Sequence, residues 1–204
     1  PKYKIFYALK ASYSQPILQK IMELGDVGVE ILSNLEIKIA KYAGFEKDNI
    51  IFNGIGRTGE DIISALEDGS IVNIDSISEL NNLIKLKDSD VKYNIGIRVH
   101  PEFSGDGNFI SRDSKLGMSY EDAIQCIEIA QRHNISVDGI SFHIFSNIID
   151  AEYHKLAIES VVGFMNLITE KMSLRFKYID IGGGFHSPMF FIGDYSVELI
   201  IYKI

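Results

Sequence analysis

Lys10 follows directly on a short apolar segment, Ile5 to Leu9, and is the residue best suited to covalent chemistry. If that segment is a strand of a parallel barrel, Lys10 lies near its carboxyl end, where such barrels carry their active sites. There its amine can form a Schiff base, provided that burial or a nearby charge lowers its pKa. Lysines are common near strand ends, so from this segment alone a solvated lysine is the commoner interpretation.

Three consecutive glycines are the second feature that could do chemistry. Tyr178–Ile181 predicts a strand, and Gly182, Gly183 and Gly184 follow it at once. Glycines without side chains let backbone N–H groups approach an anion, most often a phosphate. This segment changes the balance in favour of a functional Lys10.

Composition excludes several classes of protein. The 204 residues are 46% hydrophobic and 24% charged, which suits a packed domain. A net charge of −8 argues against nucleic acid as an electrostatic partner. We find no apolar run of membrane-spanning length and no signal peptide, so we expect no membrane partner and a cytoplasmic protein. The single cysteine, Cys126, excludes an intrachain disulfide and is predicted to be a buried structural thiol.

Short apolar strands alternate with amphipathic helices, which predicts parallel strands with right-handed crossovers. Thr58 and Ser119 precede acidic residues and are predicted to begin two of the helices. The predicted strands are Lys4–Leu9, Val27–Ile31, Asn49–Phe52, Ile71–Ile74, Tyr93–Val99, Gly139–Ile144 and Tyr178–Ile181. The predicted helices are Pro16–Leu24, Leu35–Ala43, Gly59–Glu67, Ile77–Leu86, Tyr120–His133 and Ala151–Lys171. An open doubly wound sheet and a closed barrel both fit this order. The glycine-containing stretch Glu102–Arg112 predicts a mobile loop at the active-site mouth.

Several short motifs, in order along nearly the whole chain, resemble the pyridoxal-phosphate decarboxylases of the diaminopimelate, ornithine and arginine group. That family has Tyr-Ala-Leu-Lys-Ala-Asn, and this chain has Tyr7-Ala8-Leu9-Lys10-Ala11-Ser12. The other matches are Gly28–Ser33, Phe52–Gly54, Val72–Ser76 with Glu79-Leu80, Ile97–Pro101, Ser114–Gly117, Ile140–Ile144 and Gly182–Phe185. Any one of these motifs is weak, but their common order is specific.

The resemblance implies a (β/α)8 TIM-type barrel of the alanine-racemase-like class, with residues 1–204 forming one pyridoxal-phosphate-binding domain. It implies that Lys10 carries the cofactor and that His143 stacks on its pyridine ring, both as catalytic residues. It further implies cofactor contacts from Glu30 beside the lysine, from Arg98, and from phosphate-binding Gly182, Gly183 and Gly184. Asp75 and Glu79 are interpreted as structural or supporting residues, and a strand-end ion pair is the alternative for Arg98.

The stretch after His143 departs from the commonest family pattern, because Phe145 replaces a glycine near the phosphate. A subgroup of the family has His-Ile-Phe-Ser at this point, and some of its members act on carrier-protein-bound amino acids. Ser146 is therefore interpreted as a replacement phosphate contact. The other four histidines, His100, His133, His154 and His186, form no ligand pattern, and we predict no metal site.

Seven strands can be counted, and segments that match the family's first element, eighth strand and C-terminal β domain are not found. We therefore expect an incomplete barrel that is, alone, a weak or inactive decarboxylase. The resemblance implies a small amino-acid substrate and a homodimer in the full-length form. The alternatives are a racemase or decarboxylase acting on a carrier-protein-bound amino acid, and a non-catalytic cofactor-binding barrel or decayed remnant.

Overall fold

Each predicted strand and each predicted helix forms in the computed structural model, which describes residues 3–88, 90–103 and 116–185. The strands are β1 (Ile5–Ala8), β2 (Val27–Ile31), β3 (Ile50–Phe52), β4 (Ile71–Ile74), β5 (Tyr93–Arg98), β6 (Ile135–Ser141) and β7 (Tyr178–Asp180). The helices are α1 (Gln15–Glu23), α2 (Asn34–Tyr42), α3 (Gly59–Glu67), α4 (Ile77–Leu86), α5 (Tyr120–Arg132) and α6 (Ala151–Met172).

The strands of the described chain form one parallel sheet in the order of the sequence, β1 to β7. This sheet is curled, with the architecture of an incomplete (β/α)8 barrel, as predicted. A closed or nearly closed parallel sheet brings all the carboxyl ends of its strands to one face, where barrel enzymes place their sites. The fold therefore gathers the residues that follow each strand.

Helix starts are fixed by polar caps, because the first N–H groups of a helix have no partner within it. Thr58 begins α3 with a reciprocal pair of bonds to Asp61, and Ser119 accepts from the N–H of Asp122 at the start of α5. Both caps were predicted. The inward faces of the helices pack on the strands, with Leu18, Ile62, Leu83 and other apolar side chains fully buried.

The sixth strand is the one element whose bounds differ clearly from prediction. It was predicted as Gly139–Ile144 and runs from Ile135 to Ser141. The polar residues Ser136 and Asp138 hid its beginning, but they bond to each other at 2.9 Å while Ile135 and Val137 are buried. All other predicted bounds lie within one residue of those observed.

Several expectations from the sequence concern residues outside the sheet. Cys126 is buried on α5, as predicted, and burial raises the pKa of its thiol to about 12. Most of the predicted loop Glu102–Arg112 lies outside the described residues, as does His186. None of the helices that the structure describes is long and apolar enough to span a membrane.

Candidate cofactor site at the carboxyl ends of the strands

Asn53, immediately after β3, connects carboxylates that come from opposite parts of the sheet. Its side-chain amide donates to Glu30 Oε1 on β2 and to Asp180 Oδ2 on β7, each at 3.0 Å. Its own Oδ1 accepts from the amide of Asn73 on β4 at 2.7 Å. Because β3 and β7 are not neighbours in the sheet, the bond to Asp180 crosses the interior of the barrel.

Tyr178 and two glycines complete this interior polar layer. The Tyr178 hydroxyl donates to Asn73 Oδ1 at 2.7 Å. A Cβ at Gly96 would collide with that pair, and one at Gly139 would collide with the tyrosine ring. The two glycines therefore make the room that the layer occupies.

Asp180 is the second acid of the layer, at the end of β7. Burial raises its pKa above the ordinary value, and the Glu30 carboxylate acts in the same direction. The Gly182 N–H, which donates to Asp180 Oδ1 at 2.9 Å, and the Asn53 amide oppose this rise by favouring the charged form. Asp180 thus fixes the first glycine of the triplet to the barrel interior.

The glycine triplet follows a path that only glycine adopts easily. Gly182 and Gly184 have φ angles of 67° and 88°, in the left-handed region. A side chain on Gly182 would meet the carbonyl of Phe142, and one on Gly184 the carbonyl of Phe145. A Cβ on Gly183 would meet nothing within 4 Å, so the middle glycine faces open space.

His143, two residues beyond β6, contacts the triplet directly. Its Nδ1 accepts from the Gly183 N–H at 3.3 Å. Burial lowers the pKa of His143 to about 4, and the positive charges of Arg98 and Lys10 contribute. The imidazole is therefore neutral at ordinary pH and has an apolar face to offer a ring.

Lys10, Glu30 and Ser146 lie around the same end of the barrel. Lys10 is exposed beyond β1, close enough for its charge to act on His143. Glu30 belongs to the strand paired with β1, and its carbonyl accepts from the Leu9 N–H at 2.9 Å. Ser146 is exposed, and its Cα lies 3.4 Å from where a Cβ of Gly184 would be.

Arg98 is held by an ion pair at the end of β5. Its Nη1 lies 3.3 Å from Asp75 Oδ1, which also accepts from the Gly117 N–H at 3.2 Å. This is the strand-end ion pair that the sequence left as the alternative for Arg98. The pair does not exclude a cofactor contact, because the charge of Arg98 still reaches His143 and Asp180.

Glu79 has a structural position, as interpreted from the sequence. It receives Arg57 in a two-point ion pair of 2.9 and 2.7 Å, and both side chains are buried. Arg57 also donates to the carbonyls of Phe52 and Asn73, at the ends of β3 and β4. The pair clamps those two strand ends to the start of α4.

Sequence reasoning assigned no role to Asn53, Asn73, Tyr178 or Asp180, although the structure joins them to the predicted residues. The available signal was polarity inside or directly after apolar strands, as in Val72-Asn73-Ile74 and Phe52-Asn53. In the part of the chain that the structure describes, no group of three or more His, Cys, Asp or Glu residues could hold a metal ion.

Comparison with known proteins identifies the family. Residues 1–194 match the model of the pyridoxal-dependent decarboxylase pyridoxal binding domain. The chain belongs to this family. Pyridoxal phosphate is the cofactor of this pyridoxal binding domain.

Relatives and solved structures of this domain agree on the fold. Diaminopimelate decarboxylase from Aquifex aeolicus is 32% identical over 191 residues, which are 90% of this chain and 45% of that protein. Diaminopimelate decarboxylase from M. jannaschii in complex with L-lysine has a TM-score of 0.87 and 25% identity, covering 99% of this chain and 49% of that one. Arginine decarboxylase of Paramecium bursaria Chlorella virus bound to agmatine has a TM-score of 0.82 and 25% identity, covering 100% and 53%.

The chain thus spans about half the length of the curated relatives that it matches. The residues of this pyridoxal binding domain suit the cofactor. The exposed Lys10 offers an amine for the aldehyde, and Gly183 opens onto a space beside His143 where backbone can approach a phosphate.

Proposed function

We propose that this domain is the cofactor-binding barrel of an amino-acid decarboxylase similar to diaminopimelate decarboxylase, and that Lys10 holds pyridoxal phosphate as a Schiff base. The observation that carries the proposal is the meeting of Lys10, His143 and Gly183 at one end of the barrel. Lys10 is more than half the chain away from the other two, and together the three provide an amine, a neutral ring and an open glycine backbone.

The proposed roles follow from these positions. Lys10 would bind the aldehyde, and the glycine triplet with Ser146 would bind the phosphate. His143, neutral because burial and two cations depress its pKa, would lie against the pyridine ring without adding a positive charge there. When bound, the cofactor accepts the electron pair that decarboxylation leaves on Cα of the amino acid.

Two charged residues would support Lys10 and the phosphate. Glu30, on the strand next to Lys10 and fixed by Asn53, provides a carboxylate that can hold the lysine amine or a proton from it. Arg98 adds positive charge to the phosphate side, and its ion pair with Asp75 keeps it oriented. Glu30, Asp75 and Arg98 are held in place by these bonds before any ligand binds, which limits their reorganisation on binding.

We propose a small amino acid as the substrate, since L-lysine and agmatine occur in the complexes of the similar decarboxylases. The full-length protein is proposed to act in the cytoplasm as a homodimer. A substrate attached to a carrier protein is the alternative, and its support is Phe145, which stands beside Gly184.

The test is chemical labelling of this chain. We expect borohydride reduction with pyridoxal phosphate, followed by peptide mapping, to label Lys10. Lys10→Ala should lose the label, and Lys41→Ala, an exposed lysine paired with Asp68 on the outer helices, should keep it. A label on Lys41 and none on Lys10 would overturn the proposal.

A second arm tests the phosphate and the reaction. Gly183→Val should keep the fold, because an added Cβ meets no atom within 4 Å, yet lower cofactor affinity about tenfold or more. Carbon dioxide release is then measured with diaminopimelate, ornithine, arginine, lysine and a carrier-bound glutamate. A label on Lys10 with no release from any of them favours the non-catalytic barrel.

A further inference from the structure

His154, on the first turn of α6, is a fully buried histidine that the proposed roles leave unused. Its imidazole stacks on the ring of Phe185, the residue after the glycine triplet, with centroids 4.6 Å apart and planes at 17°. Neither ring nitrogen has a hydrogen-bond partner within the ranges that the structure describes. Buried polar atoms in that state destabilise a fold unless something binds them.

The surroundings of His154 favour an anion as that missing partner. Burial lowers the pKa of the imidazole, so it is neutral and carries one N–H donor at ordinary pH. The backbone of Gly183 lies near enough to raise that pKa, as a carbonyl acceptor does, although no hydrogen bond of ordinary geometry forms. The first turn of α6, a helix of 22 residues, adds the positive end of the helix dipole, although its Glu152 N–H is already bonded to Asp150.

The triplet itself has few donors to spare. The Gly182 N–H is bound to Asp180, and the Gly183 N–H is bound to His143. The loop before α6 is joined to the triplet, because the Ile148 N–H donates to the Gly184 carbonyl at 2.8 Å. α6 and the triplet therefore form one corner, and His154 is its buried, unpartnered donor.

We propose that His154 donates a hydrogen bond to the phosphate group bound by the glycine triplet, and so contributes to selecting phosphorylated ligands. This inference rests on the proposed function, which places the cofactor phosphate at the triplet. The stack on Phe185 keeps the ring in place, so the donor is oriented before the phosphate arrives.

The experiment compares pyridoxal phosphate with pyridoxal, which lacks the phosphate. His154→Phe keeps an aromatic ring against Phe185 but removes the donor. We expect it to weaken binding of pyridoxal phosphate about tenfold, about 1.4 kcal/mol, and to leave pyridoxal binding within about twofold. His154→Gln, which retains an N–H donor, should recover part of the loss. His133→Phe, an exposed histidine at the end of α5, is the matched control.

Stability of the ligand-free chain separates this role from a structural one. Since the unpaired nitrogens disappear in His154→Phe, we expect its thermal midpoint without ligand to rise. The further rise caused by inorganic phosphate should shrink, because a weaker ligand stabilises less. A structural role, or a buried water on the ring, predicts a lower midpoint and equal effects on both pyridoxal compounds, and that result would overturn the inference.

The two proposals fail in different ways. If wild-type chain is labelled at Lys10 and His154→Phe binds pyridoxal phosphate normally, only the role of His154 is wrong. If His154→Phe does not fold, the same comparison is made with His154→Ala, which also lacks the donor. Full selectivity of His154→Ala for pyridoxal phosphate over pyridoxal would still overturn the role of His154. A wild-type chain that binds neither pyridoxal compound overturns both.

Discussion

Asn53 and Asp180 are 127 residues apart in the chain, and a hydrogen bond of 3.0 Å joins their side chains across the barrel. The same Asn53 nitrogen binds Glu30, beside the strand that leads to Lys10. Asp180 in turn holds Gly182. One amide therefore links the lysine side of the site to the glycine triplet.

Asn53→Ala should lower the free energy of unfolding by about 1–3 kcal/mol, because it leaves buried partners on Glu30, Asn73 and Asp180 unsatisfied. Urea unfolding measures this. Asn94→Ala, at an exposed position of β5, should change the value by less than about 0.5 kcal/mol. Equal losses in the two variants would show that the bonds of Asn53 add nothing.

His143 should make stability depend on pH in a defined window. Its pKa is about 4 in the folded chain against an ordinary 6.5, so the unfolded chain takes up the proton first as pH falls. The neutral form of His143 therefore supports the full free energy of unfolding above pH 6.5, and this stability is lost as the pH falls toward 4.

His143→Asn, which keeps an acceptor for the Gly183 N–H, should flatten that part of the curve in urea unfolding. His133→Asn, at an exposed position, should retain the wild-type dependence. A His143→Asn curve as steep as that of the wild type would contradict the assignment.

Arg57→Met should destabilise the chain by about 3–5 kcal/mol, because it leaves the carboxylate of Glu79 buried without its partner. The double change with Glu79→Leu should cost less than the single one. Lys41→Met breaks an exposed ion pair with Asp68 and should cost only about 0–1 kcal/mol. Denaturant midpoints that do not separate the two single variants would refute the clamp.

Two glycine-to-alanine changes should have opposite signs. Gly96→Ala places a methyl group against Asn73 and Tyr178 in the barrel interior and should destabilise. Gly163→Ala, on the exposed side of α6 with nothing within 4 Å, should stabilise by about 0.5–1 kcal/mol through helix propensity. Thermal unfolding of the pair tests this, and a tolerated Gly96→Ala would mean that the polar layer can move aside.

Local pattern predicted most of the fold because strands and helices here differ in period and are separated by turns. It misplaced the bounds of β6, because the polar residues that alternate along its first half can be bonded by neighbours. One such neighbour is Lys177, which bonds to Asp138 at 2.6 Å. Resemblance, and not spacing, distinguished the barrel from an open sheet.

Site residues that follow strands could be predicted, because the carboxyl ends of parallel strands meet. Lys10 and Gly183 were found in this way and His143 through the family resemblance, and their roles stay predictions. The bond between Asn53 and Asp180 could not be predicted, since it exists only because the sheet curls until β3 faces β7. His154 could not either, because its sequence position says nothing about the path of Phe185.

Every described strand pairs only with its neighbours in the chain, so the sheet can assemble in the order of synthesis. Lys10 leaves the ribosome early and the glycine triplet late, about 10 to 30 s apart at ordinary rates of elongation. Until β7 docks, the amine lacks the glycine triplet that follows this strand and is proposed to bind the phosphate. Retention of the coenzyme would therefore mark the moment when β7 has joined the sheet.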